Sequence, residues 1–286
     1  MISGSAKLAG VIGWPVGHSL SPRLHNFWLS AHAIDGAYVP LAVAREDFAR
    51  VISALQRTQF AGVNVTVPHK EAAFALAHEL DDAARAAGAV NLLLFRAGGI
   101  LEGRNTDVAG LAASLSEEHG AHFLQGKAAA ILGAGGAARA AVLALSSLGA
   151  AQIGIVSRKV ARARGLAGAL QAHVPARLSA FGWDEFAKAA KNIVLLVNAS
   201  SGGMQGSAPL EISLSAVPLN AAVCDIVYNP LETGLLRMAR AAGHRTTDGL
   251  GTLMHQAVPA FEAFYGERPN VTPALRNDLK KALRHG

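Results

Sequence analysis

The chain contains one lysine and one aspartate whose settings in the sequence favour proton-transfer chemistry. Lys70 ends the polar stretch GVNVTVPHK that begins at Gly62, and Asp107 ends the stretch Asn105-Thr106-Asp107, 37 residues after Lys70. A lysine ammonium can protonate or stabilise a developing alkoxide, and a carboxylate can orient that ammonium and bind a neighbouring hydroxyl. An exposed Lys–Asp pair would contribute less than about 1 kcal/mol and would not explain the polar strand end around Lys70. We therefore predict that Lys70 and Asp107 are catalytic.

A glycine-rich turn follows the apolar stretch from Ala128 to Leu132. The turn reads Gly133-Ala134-Gly135-Gly136-Ala137-Ala138. In a dinucleotide-binding elbow, the first glycine permits a tight turn, the second lets the backbone approach a pyrophosphate, and a small third residue lets helix and strand pack closely. Backbone amides at the start of the next helix would face the phosphates. A plain glycine-rich turn is the alternative, but the strand before it and the helix after it favour the elbow.

The following strand ends in basic residues where many NAD enzymes have an acidic one. NAD-binding proteins usually place an acid about 20 residues after the elbow, where it binds the ribose hydroxyls. Here the strand ends Ser157-Arg158-Lys159, and Arg162 lies about one helical turn further on. A guanidinium can form two hydrogen bonds to a 2′-phosphate and stack on adenine. The sequence therefore predicts NADP as the cofactor, with Arg158 as the main phosphate ligand; for Lys159 an exposed helix start is the alternative.

A further polar cluster, GWPVGHSLSP from Gly13 to Pro22, contains Ser19 and Ser21 just before a proline that can open a helix. Together with the Lys70 and Asp107 stretches and the elbow, in this order, it resembles the shikimate dehydrogenases of aromatic amino-acid (chorismate) biosynthesis. The resemblance extends from Gly13 to about Tyr265. It implies an enzyme that reversibly reduces 3-dehydroshikimate to shikimate with NADPH.

The resemblance also implies which side chains bind the substrate, a small molecule with one carboxylate and three ring hydroxyls. Ser19 and Ser21 would hold the carboxylate. Ring oxygens would be bound by Asn64, Thr66, Asn91 and Asp107, and the pocket would be closed by Tyr228 and Gln256. Local roles stay open for some of them, since serines before a helix are often caps, Asn91 suits a turn and Tyr228 could simply be packed.

Two more stretches are similar to loops of the family that lie near the nicotinamide. One runs from Asn198 through Ser200 to Met204, and the other is Asp248-Gly249-Leu-Gly251. The resemblance implies cofactor contacts from Asn198, Ser200 and Gly249. Ser200 stands where the family usually has threonine, and Thr252 stands where it has an aliphatic residue or methionine, so the fine geometry of these loops can differ.

Composition and element order predict an α/β protein with two domains. At 286 residues, with 51% hydrophobic and 16% charged residues, the chain is long enough for about two apolar cores. Strand and helix patterns alternate from Leu8 to Arg104 and again from Lys127, which is typical of βαβ units on a mostly parallel sheet. We predict a discontinuous substrate-binding domain (1–106 plus 250–286), a Rossmann-type NADP-binding domain (107–249) and a cleft between them.

The charge balance favours anionic small molecules over nucleic acid. The formal net charge is +6, but no long Lys/Arg run occurs and aromatic residues are not interleaved with the basic ones. No ligand spacing indicates a zinc site, and we interpret His18 and His69 as loop supports. The single cysteine, Cys224, fits a reducing compartment, and the N-terminus lacks a secretory pattern. We expect a cytoplasmic monomer or homodimer that binds neither nucleic acid nor membrane.

Two other functions remain open at this point. One is a quinate dehydrogenase, or a dual quinate/shikimate dehydrogenase, which resembles the same fold but often replaces one of the clamp serines by threonine or uses NAD. The other is an NADP-binding sensor without turnover. The stretch Ser19-Leu-Ser21 and Arg158 favour the shikimate enzyme over the first, and Lys70 with Asp107 favours it over the second.

Overall fold

The computed structural model describes residues 2–285, with side chains as far as residue 284. The chain forms two compact units: unit 1 runs to Thr106 and resumes at Met254, and unit 2 spans Asp107 to Leu253. Within the described range, no helix combines the length and the apolar character needed to cross a membrane.

Twelve strands and eleven α-helices are found in residues 2–285. The strands are β1 (Lys7–Gly13), β2 (Gly36–Ala42), β3 (Phe60–Val65), β4 (Glu79–Leu80), β5 (Leu92–Phe95), β6 (Leu101–Arg104), β7 (Ala128–Leu132), β8 (Gln152–Ser157), β9 (Arg177–Gly182), β10 (Ile193–Asn198), β11 (Ala222–Asp225) and β12 (Thr246–Thr247). The helices are α1 (Ser21–Ala31), α2 (Phe48–Leu55), α3 (Lys70–Leu76), α4 (Asp82–Ala87), α5 (Asp107–His119), α6 (Gly136–Ser147), α7 (Val160–Leu170), α8 (Phe186–Ala190), α9 (Gly234–Ala241), α10 (Gly249–Tyr265) and α11 (Pro273–His285).

Unit 1 contains a six-stranded mixed sheet in the order β2-β1-β3-β5-β6-β4. β1 pairs in parallel with β2 and β3, whereas β5 is antiparallel to both β3 and β6. Strand residues such as Ile12, Val63 and Leu93 are fully buried, as expected when helices cover both faces of a sheet. Because β5 runs the other way, its amino end lies at the same edge as the carboxyl end of β3.

Unit 2 contains a fully parallel sheet in the order β12-β11-β10-β7-β8-β9. This is the Rossmann order, in which the first strand, β7, lies at the centre and successive strands are added to one side and then to the other. β8 and β9 are added on one side of β7, and β10, β11 and β12 on the other, so the order of addition reverses between β7 and β10. Ligands of such sheets bind at the carboxyl ends of the strands next to this point. The topology therefore places a ligand site near Leu132 and Asn198.

The predicted α/β class with a Rossmann-type sheet is confirmed, with two local differences. The sequence pattern from Arg45 to Gln56 indicates one helix, but its charged start, Arg45–Asp47, forms a 3-10 turn ahead of α2. The antiparallel pairing of β5 with its neighbours, and the elements β9, α8 and α9, were not predicted. These elements are short, so few residues express their periodicity.

Candidate functional site

Three predicted substrate residues of unit 1 lie at or beside strand ends that meet at one edge of its sheet: Asn64, Thr66 and Asn91. The Val65 amide donates a hydrogen bond to the Asn91 carbonyl (2.8 Å), and the Asn91 amide donates one to the Arg104 carbonyl (3.0 Å). Asn91 is thereby held between the end of β3 and the end of β6. The Thr66 amide donates to the Ile12 carbonyl (2.9 Å), which brings the end of β1 to the same edge.

Asn64 and Asn91 form a buried amide pair with fixed orientations. Tyr38 donates its hydroxyl proton to Asn64 Oδ1 (2.7 Å), and Asn64 Nδ2 donates to the Asn91 carbonyl (3.1 Å). Asn64 and Asn91 are 7% and 3% exposed. Since a buried amide without partners is costly, these bonds determine which edge of each side chain faces the site.

Thr106 connects the Asn91 side chain to helix α10. Asn91 Nδ2 donates to Thr106 Oγ1 (3.0 Å), and the Thr106 amide donates to Asn91 Oδ1 (2.8 Å). The Thr106 hydroxyl also lies 3.3 Å from Gln256 Oε1, to which it can donate. Three of the predicted substrate residues, Asn64, Asn91 and Gln256, therefore belong to one hydrogen-bonded network.

Lys70 lies beside this network through its backbone. It is the first residue of α3 and is half-buried, and its carbonyl accepts a hydrogen bond from the Val90 amide (3.0 Å), next to Asn91. The preceding residue, His69, is buried, stacks on Phe48 and has Nε2 2.8 Å from the Val43 carbonyl. His69 therefore supports the loop that leads into α3, as predicted.

The two serines lie at the start of α1. The Ser21 amide donates to Ser19 Oγ (3.3 Å), and Ser21 is 8% exposed while Ser19 is half-buried. Ser19 thus has a local turn role, which the sequence left open. A hydroxyl retains a donor proton after accepting this bond, so the local role does not exclude carboxylate binding.

Asp107 and Tyr228 belong to unit 2. Asp107 is the first residue of α5 and directly follows Thr106, so its carboxylate lies at the positive end of the helix dipole. Tyr228 is half-buried and follows Val227, whose amide donates to Asp225 Oδ1 (3.1 Å). Asp107 is therefore positioned by α5, and Tyr228 by the hydrogen-bonded chain that follows β11.

The glycine-rich turn of unit 2 has the properties of a phosphate-binding elbow. Gly133 has φ +117°, and a Cβ atom there would lie 2.9 Å from the Ala199 carbonyl oxygen, so only glycine fits. Ala134 is half-buried, and residues Gly135, Gly136 and Ala137 are exposed at the start of α6. A Cβ at Gly135 or Gly136 would meet no atom within 4 Å, which leaves open space over the backbone amides at the helix N-terminus.

The basic residues lie at the end of the neighbouring strand. The Gly133 amide donates to the Val156 carbonyl (2.8 Å), so the elbow adjoins the end of β8, where Ser157 is 9% exposed. Ser157 Oγ accepts a weak hydrogen bond from the Lys159 amide (3.4 Å). The three basic candidates beyond it are all exposed: Arg158, Lys159 and Arg162.

A buried carboxylate organises the loop after β10. Asp225, at the end of β11, is 0% exposed and accepts hydrogen bonds from Asn198 Nδ2 (2.9 Å) and Thr233 Oγ1 (2.7 Å). Asn198 Oδ1 in turn accepts from the amide (3.1 Å) and the hydroxyl (2.7 Å) of Ser200. Burial raises the pKa of Asp225 to about 6, although its hydrogen bonds oppose the shift.

Gly249 has a packing role that the sequence did not predict. A Cβ atom at this position would lie 2.2 Å from the Ile226 carbonyl oxygen, so glycine lets the start of α10 approach the chain after β11. Gly251 is required for a similar reason, since a Cβ there would lie 2.4 Å from Ser114 Oγ.

The comparisons with known proteins identify the family. A family model described as the shikimate dehydrogenase substrate binding domain matches residues 11–93. The shikimate dehydrogenase (NADP(+)) of Paramagnetospirillum magneticum is 50% identical over 275 residues, covering 96% of this chain and 98% of the relative. This chain belongs to the shikimate dehydrogenase family. The resemblance seen in the motifs is therefore confirmed.

Solved structures of the shikimate dehydrogenase family and its relatives match the whole chain. Shikimate 5-dehydrogenase from Thermus thermophilus, in complex with NADP(H) and shikimate, is 33% identical with a TM-score of 0.83, covering 98% of this chain and 99% of that one. Quinate dehydrogenase from Corynebacterium glutamicum, in complex with NAD, is 29% identical with a TM-score of 0.88, covering 96% and 99%. Fold similarity alone therefore does not separate the shikimate and quinate activities.

Three residues of the two sites were not singled out from the sequence. Tyr38 and Thr106 orient the amides of Asn64 and Asn91, and Asp225 anchors Asn198. Thr106 lies inside a stretch that the sequence analysis singled out, so a signal was present. Tyr38 and Asp225 look like ordinary strand residues in sequence, and only the fold shows their partners.

Metal binding is not supported in the part of the chain that the structure describes. No group of three or more His, Cys, Asp or Glu side chains there could hold an ion. His25, near the start of α1, is 0% exposed and stacks on Tyr38 with ring centroids 4.0 Å apart. Burial lowers the pKa of His25 to about 3, so it is a neutral core residue.

Proposed function

We propose that this member of the shikimate dehydrogenase family is an NADP-dependent oxidoreductase that reversibly reduces 3-dehydroshikimate to shikimate, in aromatic amino-acid (chorismate) biosynthesis. The observation that supports the substrate most directly is the network of Asn64, Asn91, Thr106 and Gln256. Its members are oriented by hydrogen bonds, and Asn64, Asn91 and Thr106 lie at or beside strand ends at a single edge of the sheet. A ring with several hydroxyls requires such fixed partners, because a polar site rejects molecules that leave its groups unpaired.

The residues of unit 2 fit NADP. The space above the backbone at Gly135 and Gly136 can receive a pyrophosphate, and amides at the start of α6 can donate to it. Arg158, Lys159 and Arg162 are exposed beyond the end of β8, where the 2′-phosphate of a dinucleotide is read in this fold. We assign the adenosine end to Arg158 and Ser157, and the nicotinamide end to Asn198, Ser200 and Gly249.

The reaction needs a group that manages the charge on the substrate oxygen. NADPH, when bound, supplies the hydride that adds to the C3 carbonyl carbon. As the carbon–oxygen double bond becomes single, negative charge develops on the oxygen and a proton must arrive there. The Lys70 ammonium stabilises this charge and supplies the proton, and Asp107 orients Lys70 and binds the neighbouring hydroxyl.

The remaining substrate residues bind and orient. Ser19 and Ser21 donate hydrogen bonds to the carboxylate, while Asn64, Thr66 and Asn91 bind the ring hydroxyls. Gln256 and Tyr228 cover the substrate. This division places the charged end of the substrate at the start of α1, where helix amides add a favourable dipole.

A quinate or dual activity is the second candidate, because a quinate dehydrogenase that was solved with NAD has the same fold with a TM-score of 0.88. Initial rates with shikimate and with quinate, each with NADP and with NAD, separate the candidates. The proposal requires the highest kcat/KM for shikimate with NADP. A higher kcat/KM for quinate with NAD would establish the second candidate, and NADP binding without any turnover would indicate a sensor.

A cytoplasmic location remains a prediction that rests on the reducing environment suggested by Cys224, which is a buried free thiol. The choice between monomer and homodimer likewise stays open as a prediction.

A further inference from the structure

Asp225 lies at the centre of a set of hydrogen bonds that no catalytic or binding role so far explains. Its two oxygens accept from three donors on three segments of unit 2. Oδ1 accepts from Asn198 Nδ2 (2.9 Å) and the Val227 amide (3.1 Å), and Oδ2 accepts from Thr233 Oγ1 (2.7 Å). Asp225, Asn198 and Thr233 are all 0% exposed. The carboxylate thus supplies hydrogen-bond acceptors to buried donors that water does not reach.

One branch of this set leads to the loop after β10. Asn198 Nδ2 also donates to the Gly202 carbonyl (3.1 Å), and Asn198 Oδ1 accepts from the Ser200 amide and hydroxyl. The Gly202 amide donates to Ser200 Oγ (3.1 Å). Five hydrogen bonds therefore hold residues 198–202 together and attach them to Asp225. The orientation of the Asn198 side-chain amide determines the shape of the loop.

This loop touches the phosphate elbow. The Ala199 amide donates to the Leu132 carbonyl (2.9 Å), and the space that a Cβ of Gly133 would fill is bounded by the Ala199 carbonyl at 2.9 Å. A shift of Ala199 would therefore change the room available to the turn at Gly133. Only two residues, Asn198 and Ala199, therefore connect Asp225 to the elbow.

The second branch holds the chain after β11. The Val227 amide bonds to the same oxygen as Asn198, and Thr233, bonded to the other oxygen, accepts from the Leu236 amide (3.3 Å) as the N-cap of α9. The Gln205 amide donates to the Asn229 carbonyl (2.9 Å), which ties the two loops together further along. The carboxylate thus joins both loops at their common base.

We propose that Asp225 is a positioning residue for the cofactor: its buried carboxyl group holds the 198–202 loop against the glycine elbow, so that NADP affinity depends on this clasp. The inference rests on the proposed use of NADP. Asp225 does not touch the cofactor in this account and acts only through Asn198 and Ala199.

The test compares NADP dissociation constants, measured by titration without shikimate, for the wild type and three variants. Asp225→Ala removes all three hydrogen bonds and should weaken NADP binding at least about tenfold, equivalent to about 1.4 kcal/mol. Asp225→Asn keeps the shape, and its Oδ1 can still accept from Asn198 and Val227, so it should stay within about threefold of wild type. Retained NADP affinity in Asp225→Asn would show that the hydrogen bonds of residue 225 hold the loop and that its negative charge is not required.

Gln171→Ala is the matched control. Gln171 also joins two segments, because its Nε2 donates to the Ala176 carbonyl (3.0 Å) and its Oε1 accepts from the Leu178 amide (3.0 Å), but it lies at the opposite edge of the sheet, where β9 begins. It should lower the melting temperature and leave NADP affinity within about twofold, since it is remote from the strand ends. A purely structural Asp225 would behave like this control.

Three results would overturn the proposal: wild-type NADP affinity in Asp225→Ala, an equal loss in Asp225→Asn, or an equal loss in Gln171→Ala. If circular dichroism shows that Asp225→Ala does not fold, Asn198→Ala cuts the same link from the loop side, and its wild-type affinity would be equally decisive. Shikimate turnover is measured separately on the wild type. NADP binding that follows these predictions without turnover would refute the proposed function and leave this inference standing.

Discussion

Unit 1 and unit 2 both present polar groups at a sheet edge, but they use different atoms. In unit 1 the groups are side-chain amides and hydroxyls, such as Asn64 and Asn91, that are nearly fully buried and bonded to one another. In unit 2 the groups are backbone amides at exposed Gly135 and Gly136, next to exposed arginines. A small ring with several hydroxyls needs fixed side chains on all sides, whereas a pyrophosphate needs donors that can approach closely. The two units therefore should respond to different kinds of substitution.

The largest expected effect on ligand binding comes from adding one methyl group at the elbow. Gly135 has φ −99° and ψ −167°, which alanine adopts readily, and its Cβ would meet no protein atom within 4 Å. Gly135→Ala should therefore keep the wild-type melting temperature. It should lose about a hundredfold or more in NADP affinity, because a displaced pyrophosphate loses several charge-assisted hydrogen bonds of about 1.5–3 kcal/mol each.

Gly168→Ala serves as the control for this prediction. Gly168 lies in α7, and its Cβ would also meet nothing within 4 Å, so alanine should be neutral or slightly stabilising. Thermal melts and NADP titrations on both variants decide the matter. Undiminished affinity in Gly135→Ala would show that the open space at the elbow does not receive the cofactor.

The buried carboxyl group of unit 2 predicts a pH effect on stability. The pKa of Asp225 is raised to about 6 by burial, against about 3.9 for an ordinary aspartate. Between these values the unfolded chain is ionised there while the folded chain is protonated, so raising the pH favours unfolding. Relative to Asp225→Asn, the wild type should lose up to about 3 kcal/mol of unfolding free energy from pH 4 to pH 6 and nothing more above it.

Denaturant melts of both proteins across this pH range measure the difference directly. Because the variant retains every other acidic group, their contributions cancel in the comparison. The opposite result would be a wild type that loses stability relative to Asp225→Asn as the pH falls from 6 to 4. It would mean that the hydrogen bonds outweigh burial and that the pKa of Asp225 is depressed in the folded chain.

Arg158→Ala should separate the two cofactors. It removes the charge-assisted contact that we propose to the 2′-phosphate, the one group that distinguishes NADP from NAD, and such contacts are worth about 1.5–3 kcal/mol. NADP affinity should fall roughly ten- to a hundredfold while NAD affinity stays near wild type. Arg177→Ala removes the same charge from the start of β9 and should change neither affinity. Equal losses for both cofactors would refute the assignment of Arg158.

The smallest expected effect concerns the substrate carboxylate. Ser19→Ala and Ser21→Ala should each raise the KM for shikimate about three- to tenfold, since one hydrogen bond contributes roughly 1 kcal/mol. NADP affinity should not change, because these serines belong to unit 1 and the phosphate-binding residues to unit 2. A parallel loss of NADP affinity would instead show that the serines have a structural role, of which the local turn formed by the Ser21–Ser19 hydrogen bond is one part.

Sequence patterns were enough for the strand–elbow–helix of unit 2, because Gly133 to Ala138 and the helix after them are local features. An acid at a helix N-terminus is also a local signal, and it indicates the start of α5 at Asp107. Sequence patterns were not enough for partners distant in sequence. Tyr38 and Asn64 are 26 residues apart, and Asn198 and Asp225 are 27 apart. Asn198 and Asp225 meet because β10 and β11 pair in register, and Tyr38 and Asn64 meet across β1, which lies between β2 and β3. No local propensity records either alignment.

We propose that Lys70 acts on the substrate oxygen as negative charge develops there. A residue that acts only in the transition state changes kcat far more than it changes binding. The most direct test is the kcat of Lys70→Met at saturating shikimate and NADP, beside titrations of both ligands. We predict a loss of about 10² to 10⁴ in kcat, the range for a positioned acid or oxyanion donor, with both dissociation constants within about threefold of wild type. A variant that keeps more than about a tenth of the wild-type kcat would contradict this mechanism.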